Sequence, residues 1–175
     1  MIADDMPWYA VRVKPRCEFI VAVHLHDRGY ESFVPAYRAR RQWSDRMKEI
    51  EQPLFPGYLL CRCKLSTIHG VLHVPGVLHV VSAGKQPLPV DENEVASIQA
   101  LCHSGLPAAP CPFLSVGRRV LIKRGPLARL SGIVLELRNE WRIVVSISLL
   151  QRSVSAEIQR EWIDASEMAL CTASE

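Results

Sequence analysis

An α+β domain followed by a small all-β module is the architecture this sequence predicts, and three observations carry the expectation. Extended and helical segments alternate through residues 1–105. A stretch holding Pro107, Pro110 and Pro112, GLPAAPCPFLSVG (105–117), then shows neither a helical nor a strand period, the mark of a semi-rigid linker. Beyond it the apolar residues repeat every second position.

The elements can be justified in order. WYAVRV (8–13) reads as a strand, and PRCEFIVAVHLHDRG (15–29) opens with proline and closes with glycine, as a helix does. YESFVPAYRARRQW (30–43) is a second strand running into a basic tip, and KEIEQPLFPGYLLCRCK (48–64) is a third. STIHGVLHVPG (66–76) begins with a Ser cap and reads as a short helix. VLHVVSAGKQPLPV (77–90) returns to extended chain, and DENEVASIQALCHSG (91–105) is an acid-capped helix. The order βαββαβ plus a C-terminal helix is the ferredoxin-like split plan.

Two details stand out within it. LFPGYLL interrupts a strand with a proline that cannot donate a ladder hydrogen bond and a glycine that adds nothing to a core. The first helix is apolar nearly all round, although a helix on one sheet face needs a single stripe. Val21, Ala22 and Leu25 suffice for that stripe; Phe19 and Val23 fall elsewhere, packing against the linker or meeting a partner or a second copy.

After the linker, Ile143, Val145 and Ile147 alternate with Arg142, Val144 and Ser146, and Val154, Ala156 and Ile158 with Ser153, Ser155 and Glu157. Such runs, broken at Gly125-Pro126 and Asn139, predict an antiparallel barrel of about 50 residues, near the lower limit for independent folding. A helical hairpin would have to carry Gly125, Pro126 and Gly132 through or beside its helices, and the β-branched run Ile143-Val144-Val145 also favours strands. The expected domains are 1–105, a linker over 106–115, and 116–168.

Composition narrows the function. Apolar residues make up 49% and charged residues 22%, ordinary for a soluble protein with a real core. No run approaches the ~18 apolar residues of a membrane span. MIADDMPWY lacks an apolar h-region, so a cytoplasmic protein without a secretory signal is expected. Residues 1–105 carry net charge +1 and residues 106–175 carry +2. The basic groups are nonetheless local: YRARRQWSDRMK (37–48) sets Arg38, Arg40, Arg41, Arg46 and Lys48 against Asp45 alone, with Trp43 among them. Lys14 and Arg16 add two more where the first strand meets the first helix. Cations release counterions from phosphate and an aromatic stacks on a base, so this tip is either a nucleic-acid contact or a solvated face.

Six cysteines occur without a CxxC. Cys61 and Cys63 share a strand face and His69 and His73 stand i,i+4, but neither pair is completed at metal-site spacing, and small apolar thiols fit as well. No Ser-His-Asp order, GxGxxG or Walker loop points to catalysis, and no cofactor or metal is implied.

In their order along the chain, WYAVRVKPRCE, RGYESFVP, LFPGYLL, VPGVLHVV and PLPVDENEVASI resemble the N-terminal (NGN) domain of the NusG family of transcription elongation factors. VGRRVLIKRGPLARLSGIVLEL resembles the KOW motif that opens the barrel following it. The tail ISLLQRSVSAEIQREWI and the compact length are more similar to specialised antiterminator paralogues such as RfaH, LoaP and UpxY. The resemblance implies a monomeric factor, not an enzyme, that binds RNA polymerase at the clamp helices, bridges the DNA cleft and suppresses pausing or termination. It implies an apolar docking cavity open on one sheet face, lined by Arg12, Phe55, Pro56, Tyr58, Leu60 and Val80. It further implies polymerase gate-side contacts at Ser66, Thr67 and His69, and non-template DNA contacts at Lys14, Arg16, Arg38, Arg40 and Arg41. Ribosome or Rho would be met through the KOW domain. A ribosome- or RNA-binding KOW protein is the alternative, although such proteins are usually far more basic than +3.

Overall fold

The computed structural model describes residues 6–43, 46–111, 113, 117–137, 140–163 and 169–171. In chain order the first elements are β1 (Trp8–Val13), α1 (Glu18–Asp27), β2 (Glu31–Phe33), β3 (Ala36–Trp43), β4 (Arg46–Pro53), β5 (Tyr58–Arg62) and α2 (Ile68–Leu72). Next come β6 (Val77–Val80), β7 (Ser82–Ala83), β8 (Gln86–Pro87), β9 (Pro89–Val90) and α3 (Glu92–His103). The remainder is β10 (Ala108–Cys111), β11 (Gly117–Leu121), β12 (Ser131–Leu137), β13 (Glu140–Ile147), β14 (Arg152–Ile158) and β15 (Ala169–Cys171). Two compact units emerge, one from residues 1–36 and 55–92, the other from 37–54 and 93–175. The β3–β4 hairpin and α3 from Asn93 onward group with the C-terminal residues.

The first unit is built on an antiparallel sheet of order β2-β5-β1-β6, with β9 also paired to β1. Alternation along β1 and β5 sorts side chains onto two faces. Tyr9, Val11 and Val13 of β1 join Leu59 and Cys61 of β5 in a core with Val21 and Leu25 of α1 and Ile68 and Val71 of α2. Register places Trp8 opposite Arg62, Ala10 opposite Leu60 and Arg12 opposite Tyr58 on the other face.

Helix α1 buries one stripe. Val21 and Leu25 are fully buried and Ala22 half so, whereas Phe19, Ile20 and Val23 are 37%, 55% and 57% exposed. The surplus apolar residues therefore face solvent in this chain. The start of the next helix differs from its expected form. A 3-10 turn over Leu65–Thr67 precedes α2, Ser66 is exposed, and neither segment has a side-chain cap. The hydroxyl of Tyr30 instead donates to the Thr67 carbonyl at 3.0 Å.

The expected second and third strands each break in two. Pro35 follows β2, and the turn at residues 54–57 separates β4 from β5. Proline cannot donate to a ladder, so pairing stops beside it. The basic tip becomes its own two-stranded hairpin, β3–β4, in which Tyr37 donates to Gln52 at 3.0 Å.

In the second unit an antiparallel six-stranded sheet runs β10-β14-β13-β12-β11-β15. Ile143, Val145, Ile147, Val154 and Ala156 are buried, as alternation required, but so are Val144, Ser153 and Ser155. The Ser146 and Ser153 hydroxyls, in register across β13 and β14, satisfy one another at 2.6 Å. Part of the expected linker is a strand: Ala108–Cys111 pairs with β14. It takes the sheet edge, where the missing N–H of Pro110 is tolerated. The α3 residue Glu94 accepts from both the backbone N–H (3.1 Å) and hydroxyl (2.6 Å) of Ser148, in the turn joining β13 to β14.

Replacing Phe19 by Glu together with Val23 by Lys should shift unfolding stability by less than about 1 kcal/mol, as exposed sites do. Leu25→Ala should cost about 2–5 kcal/mol through transfer and cavity terms. Urea denaturation monitored by circular dichroism separates the two; comparable losses would mean that Phe19 and Val23 belong to the core.

Candidate functional site

Three proline turns meet at one end of the first sheet. Phe55-Pro56-Gly57-Tyr58 closes through Tyr58 N–H to the Phe55 carbonyl at 3.0 Å, with Gly57 at φ 80°. Val74-Pro75-Gly76-Val77 closes at 3.1 Å, with Gly76 at φ 95°. Lys14-Pro15-Arg16-Cys17 also closes at 3.1 Å, with Arg16 at φ 65°. Proline second and a positive φ third is the type II pattern, which favours glycine at the third place. Backbone bonds join the three, because Val13 donates to Gly57 and Lys14 to Gly76, each at 2.9 Å.

This geometry explains why LFPGYLL interrupts its strand. The Gly57 N–H donates to the carboxylate of Glu18, the first residue of α1, at 2.6 Å in a buried setting. Glu18 is only 3% exposed, so the bond anchors the turn to the helix from within. A Cβ on Gly57 would lie 2.7 Å from an Arg12 guanidinium nitrogen, and one on Gly76 would lie 2.7 Å from Val21. The positive φ favours glycine at both positions, and at Gly76 a Cβ would also meet the buried Val21 side chain.

The vacancy beside Gly57 holds Arg12. Its guanidinium carbon lies 4.5 Å from the Tyr58 ring centroid, a cation–π stack between cross-strand neighbours that are both half-buried. Farther along the same face Arg62 lies 5.8 Å from Trp8 and pairs with Glu92 at 3.3 Å.

The expected docking residues are not all together. Arg12 and Tyr58 adjoin, and Pro56 is exposed in the turn. Phe55 and Leu60, expected on an open face, are each 1% exposed. Val80 is carried to the other face, opposite Val11 and within the core; His79, exposed, stands opposite Arg12. A one-residue slip exchanges faces, and β1 has an irregularity between Arg12 and Val13 that no periodicity reveals. Glu18 was not singled out by the sequence; an acid at a helix start normally reads as a dipole partner.

Lys14 and Arg16 are exposed on their turn, and Arg38 is exposed on β3. The side chains of Arg40 and Arg41 lie outside the described residues. Ser66, Thr67 and His69 are exposed on the segment entering α2, whose Ile68 and Val71 pack on the helix-bearing sheet face. The ring of His73 engages the His69 carbonyl at 2.6 Å. Cys61 and Cys63 sit in the core, where the hydrogen bond to Cys63 and then burial push the Cys61 thiol well above the usual cysteine range. Among the described residues no three His, Cys, Asp or Glu gather as metal ligands.

A family model described as "Transcription termination factor nusG" matches residues 6–99, and the chain belongs to the NusG family. The transcription termination/antitermination protein NusG of Helicobacter pylori strain 26695 is 26% identical over 172 residues, covering 91% of this chain and 98% of that protein. NusG of Escherichia coli K12 is 28% identical over 176 residues, covering 93% and 97%. A solved structure of Thermotoga maritima NusG superposes with a TM-score of 0.56 at 23% identity, covering 91% and 97%, a likeness of fold.

Two substitutions test the turn cluster. Glu18→Ala should destabilise by about 1–3 kcal/mol, because it leaves a buried N–H unpaired, while Glu18→Gln, still an acceptor, should cost less. Arg16→Gly should leave stability within about 1 kcal/mol of the parent, since relief of the positive φ offsets glycine's added chain entropy. Chemical denaturation measures both; a large loss in Arg16→Gly would give that side chain a structural role.

Proposed function

We propose that this chain is a transcription elongation and antitermination factor that docks on the clamp helices of RNA polymerase, bridges the DNA cleft and suppresses pausing or termination. The observation that carries the reading is the stacked Arg12–Tyr58 pair beside an exposed proline turn, in a chain of the NusG family. Arginine and tyrosine are the residue types on which interface energy concentrates. Stacking fixes both before docking, which lowers the entropy lost on binding. The guanidinium presents a fork of donors suited to an acidic group on a partner helix. Phe55 and Leu60 serve this surface as buried support, and Pro56 and His79 extend it.

Nucleic-acid contact falls to Lys14 and Arg16 at the same sheet end, and to Arg38, Arg40 and Arg41 on the β3–β4 hairpin. Arg16 occupies a backbone position that glycine fills in the two sister turns, at a cost of about 1–2 kcal/mol. Selection for a cation at that point accounts for such strain. Phosphate contacts would position the factor on the non-template strand, while preference for any element needs base contacts. Ser66, Thr67 and His69, on the helix-bearing side, are suited to the polymerase gate. The C-terminal sheet is the module for a further partner, with ribosome and Rho as the candidates.

Tyr58→Ala and Arg12→Ala should each leave the fold intact and weaken binding to purified polymerase by about 30-fold. Ribosomal RNA serves as the competing ligand. Undiminished polymerase binding by both folded variants, or no binding of polymerase by the parent chain, would reject the docking surface.

The triple change of Arg38, Arg40 and Arg41 to Ser should reduce recruitment to a paused elongation complex. Its salt dependence should flatten by roughly one unit of slope per phosphate contact removed. Equal slopes measured across a salt titration would mean that the hairpin is only a solvated face.

A further inference from the structure

Helix α1 has two opposite faces of different character. Its buried stripe, Glu18, Val21 and Leu25, follows the i, i+3, i+7 spacing and packs toward the sheet. Ile20, Val23 and Asp27 repeat that spacing two residues later, about 200° further round the helix, on the side away from the sheet. All three are exposed, and the exposed Phe19 flanks them. Single exposed apolar side chains are ordinary, whereas contiguous ones mark interaction surfaces.

Opposite charges stand at the two ends of this apolar ridge. Arg16, exposed in the turn that enters the helix, lies at its N-terminal end, and Asp27 closes its C-terminal end. Both oppose the helix macrodipole, which favours acids at the start and bases at the end. An antiparallel neighbour reverses the mismatch, since each charge then lies beside the opposite end of the other helix.

The ridge is complementary to itself. With a two-fold axis midway between Ile20 and Val23, Ile20 packs on the partner's Val23 and Val23 on the partner's Ile20. Arg16 precedes Ile20 by four residues and Asp27 follows Val23 by four, so the same axis sets Arg16 against the partner's Asp27. A closed symmetric pair requires such an isologous patch.

We infer that the outer face of α1 is a self-association surface on which two copies of this chain pair their helices antiparallel. A helix of 10 residues covers less than the ~800 Å² per partner of a standard interface, so the pair is weak, with a dissociation constant of about 100 µM. Pairing leaves the Arg12–Tyr58 face open, because that face lies on the other side of the sheet from α1. Arg16 cannot meet a carboxylate and a phosphate at once, so the dimer excludes the nucleic-acid contact proposed above for that residue.

Sedimentation velocity on the full chain, free of nucleic acid, tests the pairing at low salt from about 10 to 300 µM, a range that brackets the expected dissociation constant. The parent should pass from monomer toward dimer. Ile20→Ser with Val23→Ser should return it to monomer, while its far-ultraviolet circular dichroism stays that of the parent. Arg16→Asp and Asp27→Arg should each weaken pairing about fivefold, since by symmetry each turns two attractive contacts into repulsive ones. Aspartate is among the residues that accept the positive φ of position 16. Mixed in equal amounts, these two variants should pair with one another as tightly as the parent pairs with itself, because every contact is again between opposite charges. A parent that stays monomeric over that range, dimers untouched by the serine pair, or a mixture no tighter than either variant alone would each overturn the inference. None of these results bears on polymerase docking through Tyr58, so the two proposals fail separately.

Discussion

The buried hydrogen bond from Gly57 to Glu18 is the constraint on which the first unit turns. It joins the start of β5 to the start of α1 across a large sequence separation, at a glycine whose missing side chain leaves a vacancy. The same vacancy admits the Arg12 guanidinium, which stacks on Tyr58. One missing Cβ thus lies beside a buried bond on one side and the Arg12–Tyr58 stack on the other.

The three linked proline turns extend this logic. Proline in each presets φ and ends strand pairing, and the positive φ that follows reverses the chain in a minimum of residues. Glycine supplies that angle twice without penalty, but the third turn uses Arg16. The architecture therefore accepts local strain at an exposed cation in the turn between β1 and α1. A hydrogen-bonded end of a sheet holds the residues on its turns in place.

The C-terminal unit reaches rigidity differently. Its sheet buries apolar side chains at adjacent as well as alternate positions, and the hydroxyls that result are paired, as Ser146 with Ser153. Unpaired, such buried groups would cost about 1–3 kcal/mol each. Its loops are held by contacts of their own: Glu94 holds Ser148 at the turn between β13 and β14, and Trp162 covers Gly125. The strands over 117–137 and 140–158 agree with the β-branched, glycine-broken sequence there rather than with a helical hairpin.

Local signals were legible in the sequence because they arise from neighbouring residues. The strand WYAVRV, the glycine after the first helix, the surplus faces of Phe19 and Val23, and the interruption at Pro56-Gly57 all follow from period and backbone chemistry. Three-dimensional pairing decided the rest. The irregularity after Arg12 put Val80 in the core and His79 opposite Arg12; an edge position turned Ala108–Cys111 from linker into strand; burial removed Phe55 and Leu60 from the open surface. The roles of Glu18 and Trp162 depend on glycines distant in the chain, and no local pattern records which acid or indole will fill the space a missing side chain leaves. The sequence by itself determined element types, turn chemistry and family, because these depend on short-range sterics and residue order. Tertiary structure alone decided which side chains meet, because register and close approach are set by the whole packed chain.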